Sequence, residues 1–306
     1  MVRISAEGSA PQLFYAELEC FVDLHPRQKG AHMSRFEETV NEAIEHVVLS
    51  EAFKAETLAA HIAELVRERQ DSVRAEVHIT ARYPEHKPAP VSGVPTQEIY
   101  TLHGSAVASE TGTRRLVGVS AQGMTACPCA QEMVSAASRE RLLADGFTDD
   151  EIERVFVHVP VATHNQRGLG TLWVGCSERC GREIHGANLL HIVEESMSSE
   201  IFELMKRPDE LAVVERAHRR PRFVEDCVRE QVRMALDEFK DFEPDTFLMA
   251  RQENLETIHQ HKVVAERSGL LGEMAAEAAG GEHAARHVTM REWLEGYPQP
   301  PTSVQP

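Results

Sequence analysis

Between residues 73 and 83 hydrophobic and polar positions alternate strictly. Val73, Ala75, Val77, Ile79 and Ala81 fall on one side, and Arg74, Glu76, His78, Thr80 and Arg82 on the other. A period of two predicts a strand with one buried face. Residues 12–24 carry the same period, with Phe14, Ala16, Leu18, Cys20 and Val22 on one face. Between these strands the period lengthens. Ser34 followed by Glu37 reads as a capping box, opening a helix with Phe36, Val40, Ile44 and Val47 in one stripe. A second helix over 55–69 turns Leu58, Ile62, Leu65 and Val66 inward. The proline-rich stretch 84–95 predicts a loop, and further strands are expected over 97–109 and 115–122.

The second half repeats this order of elements without repeating the sequence. A helix is expected from the Cys127–Cys129 segment to Ala144, stopped by Asp145-Gly146. Thr148 with Glu151 is another capping box. Residues 153–163 and 169–176 read as paired strands, with Arg167-Gly168 near their turn. Helices are predicted near 187–205 and 223–240, then a strand over 245–253. Helices alternate with strand pairs, so the fold class is α+β, with antiparallel strands and helices on one face. The chain divides into modules over 1–122 and 123–265 and a C-terminal extension over 266–306. That extension, with Gly280-Gly281 and Pro298-Gln299-Pro300-Pro301, is expected to be loosely packed.

Composition narrows the setting. The 306 residues are 42% hydrophobic, enough for a sizeable core. No apolar run is long enough to span a bilayer, and no signal-peptide core follows Met1, so a cytoplasmic protein is expected. The formal charge is -17 and only six residues are lysine. That balance argues against nucleic-acid binding. It fits a halophilic, high-salt cytoplasm, or else an ordinary acidic protein from a GC-rich genome.

The chemistry concentrates in a few short segments. Cys127 and Cys129 flank Pro128 at a predicted strand-to-helix turn. They are either small core residues or thiols that serve as a ligand or a nucleophile, since a helix N-terminus stabilises a thiolate. His164 ends a predicted strand, as a solvated turn residue or a ligand. Glu210, in Lys206-Arg207-Pro208-Asp209-Glu210, is a helix-terminal charge or a carboxylate ligand. A thiolate, an imidazole and a carboxylate around one ion, with a position left for water, would make a catalytic metal site. Glu225 either complements a helix N-terminus or grips a guanidine-like edge. Glu256, His259 and His261 form a polar connection or a proton-transfer group. Cys176-x3-Cys180 with Glu183 and His185 is a rival metal site.

These segments, in order, resemble the motifs of type IB GTP cyclohydrolases. The resemblance runs over about 12–265 and rests on Lys29 to Phe36, Gly123 to Cys129, His164 to Arg167, Lys206 to Glu210, Phe223 to Asp226 and Glu253 to His259. The form Cys-Pro-Cys-Ala-Gln and the long segment before His164 are similar to the archaeal branch. The resemblance implies a tunnelling fold, with two modules per chain, assembled as a homotetramer with active sites at subunit interfaces. It implies metal ligation by Cys127, His164 and Glu210, with iron(II) favoured over manganese or zinc. It implies that Glu225 anchors guanine and that Cys129, Glu256 and His259 share the pocket. Arg167, His218, Arg219 and Arg220 are the cationic cluster available to the phosphates. The implied activity converts GTP to 7,8-dihydroneopterin 2′,3′-cyclic phosphate with release of formate and pyrophosphate, the first step of archaeal pterin or folate-type cofactor synthesis. The alternatives are a triphosphate product, as in the bacterial branch, and a pterin- or purine-binding protein of the same fold without hydrolase activity.

Overall fold

The computed structural model describes residues 2–4, 12–47, 54–177, 182–281, 283 and 287–296, without the side chains of 2–4, 12–14 and 45–47. The chain opens with strands β1 (Val2–Ile4) and β2 (Gln12–Asp23), then helices α1 (Met33–Val47) and α2 (Ala55–Gln70). Strands β3 (Arg74–Pro88), β4 (Pro95–Ser109) and β5 (Gly112–Ala126) follow, then α3 (Pro128–Ala144) and α4 (Asp149–His158). Next come β6 (Asn165–Ser177), α5 (Gly186–Ser196), the short β7 (Ser199–Glu200), α6 (Arg207–Arg219) and α7 (Val224–Glu238). The chain continues with β8 (Phe247–Leu255), β9 (Lys262–Leu270), α8 (Leu271–Ala278) and α9 (Met290–Leu294).

Among the described residues the strands form one antiparallel sheet in the order β1-β2-β3-β4-β5-β6-β8-β9, with β7 pairing on β5. The alternation of β3 has its predicted consequence: Ala75, Val77, Ile79 and Ala81 are buried. They face α2, which also packs on β4 and β5. Helices α5 and α7 cover β5, β6 and β8 on the same face, burying Leu172, Val174, Leu189, Val193 and Leu248. In the first half α2 lies on the strands with α1 packed against it, and in the second half α5 and α7 both lie on the strands. The sheet is continuous through β5, so the division after residue 122 falls inside a strand.

The opposite sheet face is polar in part, and carries a second apolar cluster of Val107, Leu116, Phe247 and Leu270. Thr80 pairs with His103, and Ser120, Thr171, Arg251 and Glu266 pair in turn from β5 to β9, so polar residues continue across the sheet on this face. His103 Nε2 lies 2.9 Å from Ser120 Oγ, and its ring stacks on Trp173. Burial pushes the His103 imidazole down to about 4, so the ring is neutral at pH 7.

Several expectations are corrected. The loop expected over 84–95 is confined to 89–94: β3 and β4 pair from Pro88↔Pro95 onward, so 84–88 and Pro95 are strand. β2 stops pairing at Arg82, so beyond it β3 is an edge, where proline's missing N–H costs nothing. Residues 153–163 are not a strand, because α4 occupies 149–158 behind the Thr148–Glu151 capping box. Helix α1 starts at Met33, which puts Ser34 inside the first turn and not at the cap. The helix predicted to 205 ends at Ser196, and α6 begins after Lys206. The C-terminal extension is packed where it is described. Trp293 is 1% exposed, lies against Phe247 and Leu116, and donates from Nε1 to the Asp245 carbonyl at 2.9 Å. Residues 298–301 lie outside the described residues, as does Cys180 of the rival metal site.

Candidate active site

β5 and β6 run in register to their far ends, where Ala126 opposes Asn165. The chain leaves β5 at Cys127, the N-cap residue of α3, and Pro128 opens that helix. Proline suits this position because its missing N–H would have no helical partner there. His164 lies immediately before β6, not at the end of a strand. The Cys127 N–H donates to the His164 carbonyl at 3.1 Å, which closes the ladder and sets the two residues side by side.

The main chain around Cys127 is anchored on every side. Ala126 N–H donates to Ser198 Oγ at 3.1 Å, and the Ala126 carbonyl accepts from Arg222 N–H at 2.9 Å. Thr163 Oγ1 donates to the Cys127 carbonyl at 2.8 Å. Gln131 Nε2 donates to the carbonyls of Val161 and His218, tying α3 to the end of α6. Ser198 is fully buried, so its bond to Ala126 is shielded from water.

Beside this frame stands a compact polar group. His164 Nδ1 is 3.1 Å from Gln166 Oε1, and Gln166 Nε2 donates to Glu256 Oε1 at 3.4 Å. The Glu256 carboxylate is 4.0 Å from His164 Nδ1, and the two side chains are only 15% and 10% exposed. Glu256 reaches this place because β8 pairs with β6 to its last residue, Leu255 opposite Arg167. Behind them, Gln252 Nε2 donates to Asn254 Oδ1 at 3.0 Å. A side chain at Gly168 would come within 2.4 Å of that amide nitrogen, so any larger residue there must displace the Gln252 amide.

The other predicted residues sit further out. Glu210 is exposed in the first turn of α6. The far end of that helix reaches the site, where His218 Nε2 approaches the Thr163 carbonyl at 3.4 Å. Eight helical residues, about 12 Å along the axis, separate His218 from Glu210. Its neighbour Asp209 is fully buried and accepts from the Val91 and Ser92 N–H groups, Ser92 Oγ and Lys206 N–H. Burial pushes the Asp209 carboxyl up, but these hydrogen bonds outweigh it and hold it below the usual carboxylate range. Glu225, in the first turn of α7, is exposed at a cavity of about 700 Å³ walled by Val228, Val232, Ala265 and Met274. Cys129 is exposed on α3, and His259 is exposed and stacks on His261. Arg167 donates to Gln122, while Arg219 donates to the Val157 and His158 carbonyls at the end of α4.

Among the described residues no three His, Cys, Asp or Glu side chains are grouped to hold a metal ion. The chain sets the backbones of Cys127 and His164 side by side and leaves Glu210 at the other end of α6. The pair fits a transition metal chemically, as a soft sulfur beside an imidazole whose Nδ1 is already engaged. Burial pushes two other thiols up, Cys20 to about 11 and Cys227 to about 12, which marks them as inert.

The architecture has solved counterparts. A uricase from Arthrobacter globiformis superposes with a TM-score of 0.54 over 96% of this chain and 94% of its own, at 6% identity, a likeness of fold alone. At the sequence level, the model for GCHY-1, type I GTP cyclohydrolase folE2, matches residues 1–265, and the chain belongs to that family. The two halves of strands and paired helices are accordingly those of a tunnelling fold. Among its relatives, the GTP cyclohydrolase MptA of Methanothermobacter thermautotrophicus is 40% identical, over 90% of this chain and 88% of its own. The MptA of Methanococcus aeolicus is 38% identical over 90% and 91%.

Gln166, Ser198, Arg222 and Gln131 had no predicted role. Gln166 lies inside a motif that was noticed, but its two partners are set by folding. Nothing in the local sequence marks Ser198.

Proposed function

We propose that this protein is a GTP cyclohydrolase that opens the imidazole ring of GTP at C8, releases that carbon as formate, and yields 7,8-dihydroneopterin 2′,3′-cyclic phosphate and pyrophosphate. Family membership and relatives called GTP cyclohydrolase MptA support the reaction class. The observation that carries the assignment to a place is the rung joining Cys127 to His164, with Glu256 beside it.

Cys127 and His164 hold a divalent metal ion, with iron(II) the preferred metal and manganese or zinc alternatives. When bound, such an ion supplies Lewis-acid activation of water at neutral pH. Glu210 is the third ligand. Its distance from the pair along α6 is met by supply from a neighbouring copy, in keeping with a homotetramer whose sites lie between subunits. Glu225 accepts two hydrogen bonds from the guanine edge, which fixes the base with C8 toward the metal pair. His259 donates a proton to the ring nitrogen as the C8 bond breaks, and Glu256 orients the donor. Cys129 lines the same pocket. Arg167 and Arg219 face the triphosphate, a role that guanidinium forks suit.

The product distinguishes the two branches of the family. Metal-reconstituted protein is incubated anaerobically with GTP and followed by phosphorus NMR and product mass. A cyclic phosphate with stoichiometric pyrophosphate is the expected result. A retained triphosphate would assign the other product, and unreacted GTP would favour a binding protein without hydrolase activity. Among the described residues no helix is long and apolar enough to cross a membrane. The net charge of -17 argues against nucleic acid as a partner, and GTP and further copies of the chain are the partners of this reading.

A further inference from the structure

We infer that Gln166 is a positioning residue which fixes the tautomer of His164 and aims its Nε2 lone pair at the metal position. The inference rests on the reading of His164 as a ligand. Gln166 is 5% exposed and touches both of its polar neighbours, with Oε1 3.1 Å from His164 Nδ1 and Nε2 3.4 Å from Glu256 Oε1.

The orientation follows from what each group can do. An ionised carboxylate only accepts hydrogen bonds, so the side of the Gln166 amide that faces Glu256 must be its NH2. The carbonyl then faces His164, and a carbonyl also only accepts. His164 must therefore carry its proton on Nδ1. A neutral imidazole has one proton, so Nε2 is left with a free lone pair, the state in which histidine binds metals. Glu256 thus acts on the ligand through one intervening amide. Both side chains are held by strand ends: Gln166 is the second residue of β6, in register with Thr125, and Glu256 directly follows β8.

The test uses full-length protein and two readouts besides turnover. In metal-free protein labelled with 15N-histidine, long-range 1H–15N correlation gives the tautomer of His164, identified as the imidazole absent from His164→Ala. Cobalt(II) affinity is measured by competition with a chromophoric chelator for wild type, Gln166→Leu and His164→Ala. The expected result is an Nδ1–H imidazole in wild type, a shift toward Nε2–H in Gln166→Leu, and a roughly 10–100-fold weaker cobalt affinity in that variant. An Nε2–H imidazole in wild type overturns the inference, and that measurement needs no variant to fold. Unchanged cobalt affinity in Gln166→Leu, with affinity lost in His164→Ala, overturns it while the ligand reading stands. Unchanged affinity in His164→Ala removes the ligand reading itself.

Discussion

The N–H of Cys127 and the carbonyl of His164 form the last rung between β5 and β6, at 3.1 Å. A thiol and an imidazole 37 positions apart in sequence are thereby fixed relative to each other by backbone, before any ligand arrives. In the proposed metal centre the sheet supplies the preorganisation and the side chains supply the chemistry. Cys127→Ala should therefore abolish metal binding and turnover while leaving the rung and the fold intact. Metal content by elemental analysis, beside a far-ultraviolet circular dichroism spectrum, checks this. Retained turnover removes Cys127 from the ligand set.

Glu225 should act on substrate and not on metal. Glu225→Gln exchanges one acceptor oxygen for a donor, which opposes the N–H groups of the guanine edge. The Michaelis constant for GTP should rise at least roughly tenfold, the scale of one charge-assisted hydrogen bond, with metal content unchanged. An unaltered constant takes Glu225 out of the guanine site.

The buried Asp209 ties the tip of the β3–β4 hairpin to the start of α6, next to Glu210. Asp209→Ala should lower the melting temperature and open residues 89–94 to limited proteolysis, because the N–H groups of Val91 and Ser92 lose their acceptor. Glu210→Ala, on the exposed side of the same turn, should do neither. Equal protease resistance in both variants would show that Asp209 does not hold the hairpin.

His103 makes stability depend on pH. The folded protein keeps this ring neutral down to about 4, whereas in the unfolded chain it takes up a proton near 6.5. As pH falls from 6.5 to 4 the unfolded state therefore gains the proton first, and stability is lost. The contribution is complete above pH 6.5 and is on the order of 3 kcal/mol across the window. Urea midpoints at pH 7 and pH 5 should differ less in His103→Leu than in wild type. Equal differences would mean that the ring titrates normally.

The C-terminal extension should contribute to stability although the family match ends at residue 265. Trp293 packs on Phe247 with ring centroids 5.8 Å apart, and the Arg114 guanidinium lies 4.9 Å from its ring. Trp293→Ala should cost about 3–5 kcal/mol in unfolding free energy by urea titration. A loss under about 1 kcal/mol would return the segment to the loosely packed tail expected from its glycines and prolines.

The strands and helices were legible where one face is buried and the other wet, as in β3 and α2. Legibility failed where local pattern and tertiary role part company. Val155, Val157 and Val159 imitate the period of a strand, yet they belong to α4 and its end, where Ile152 is the buried residue. The charged segment Lys206 to Glu210 reads as the terminus of the preceding helix, but it starts α6, with Pro208 in the first turn. β9 was missed because its inward and outward positions mix Val263, Val264 and Ala265 with Lys262, Glu266 and Arg267. In the site, Cys127 and His164 could be read from residue type and motif. Gln166, Ser198 and Arg222 could not, since their work is to contact residues distant in sequence.

Turnover of guanine C8 at the Cys127–His164 site is the central claim. Iron(II)-reconstituted protein incubated anaerobically with [8-13C]GTP should give one labelled formate per GTP consumed, followed by carbon NMR, and the Cys127→Ala protein should give none. Labelled carbon remaining in an intact purine ring with the reconstituted wild-type enzyme would contradict the account.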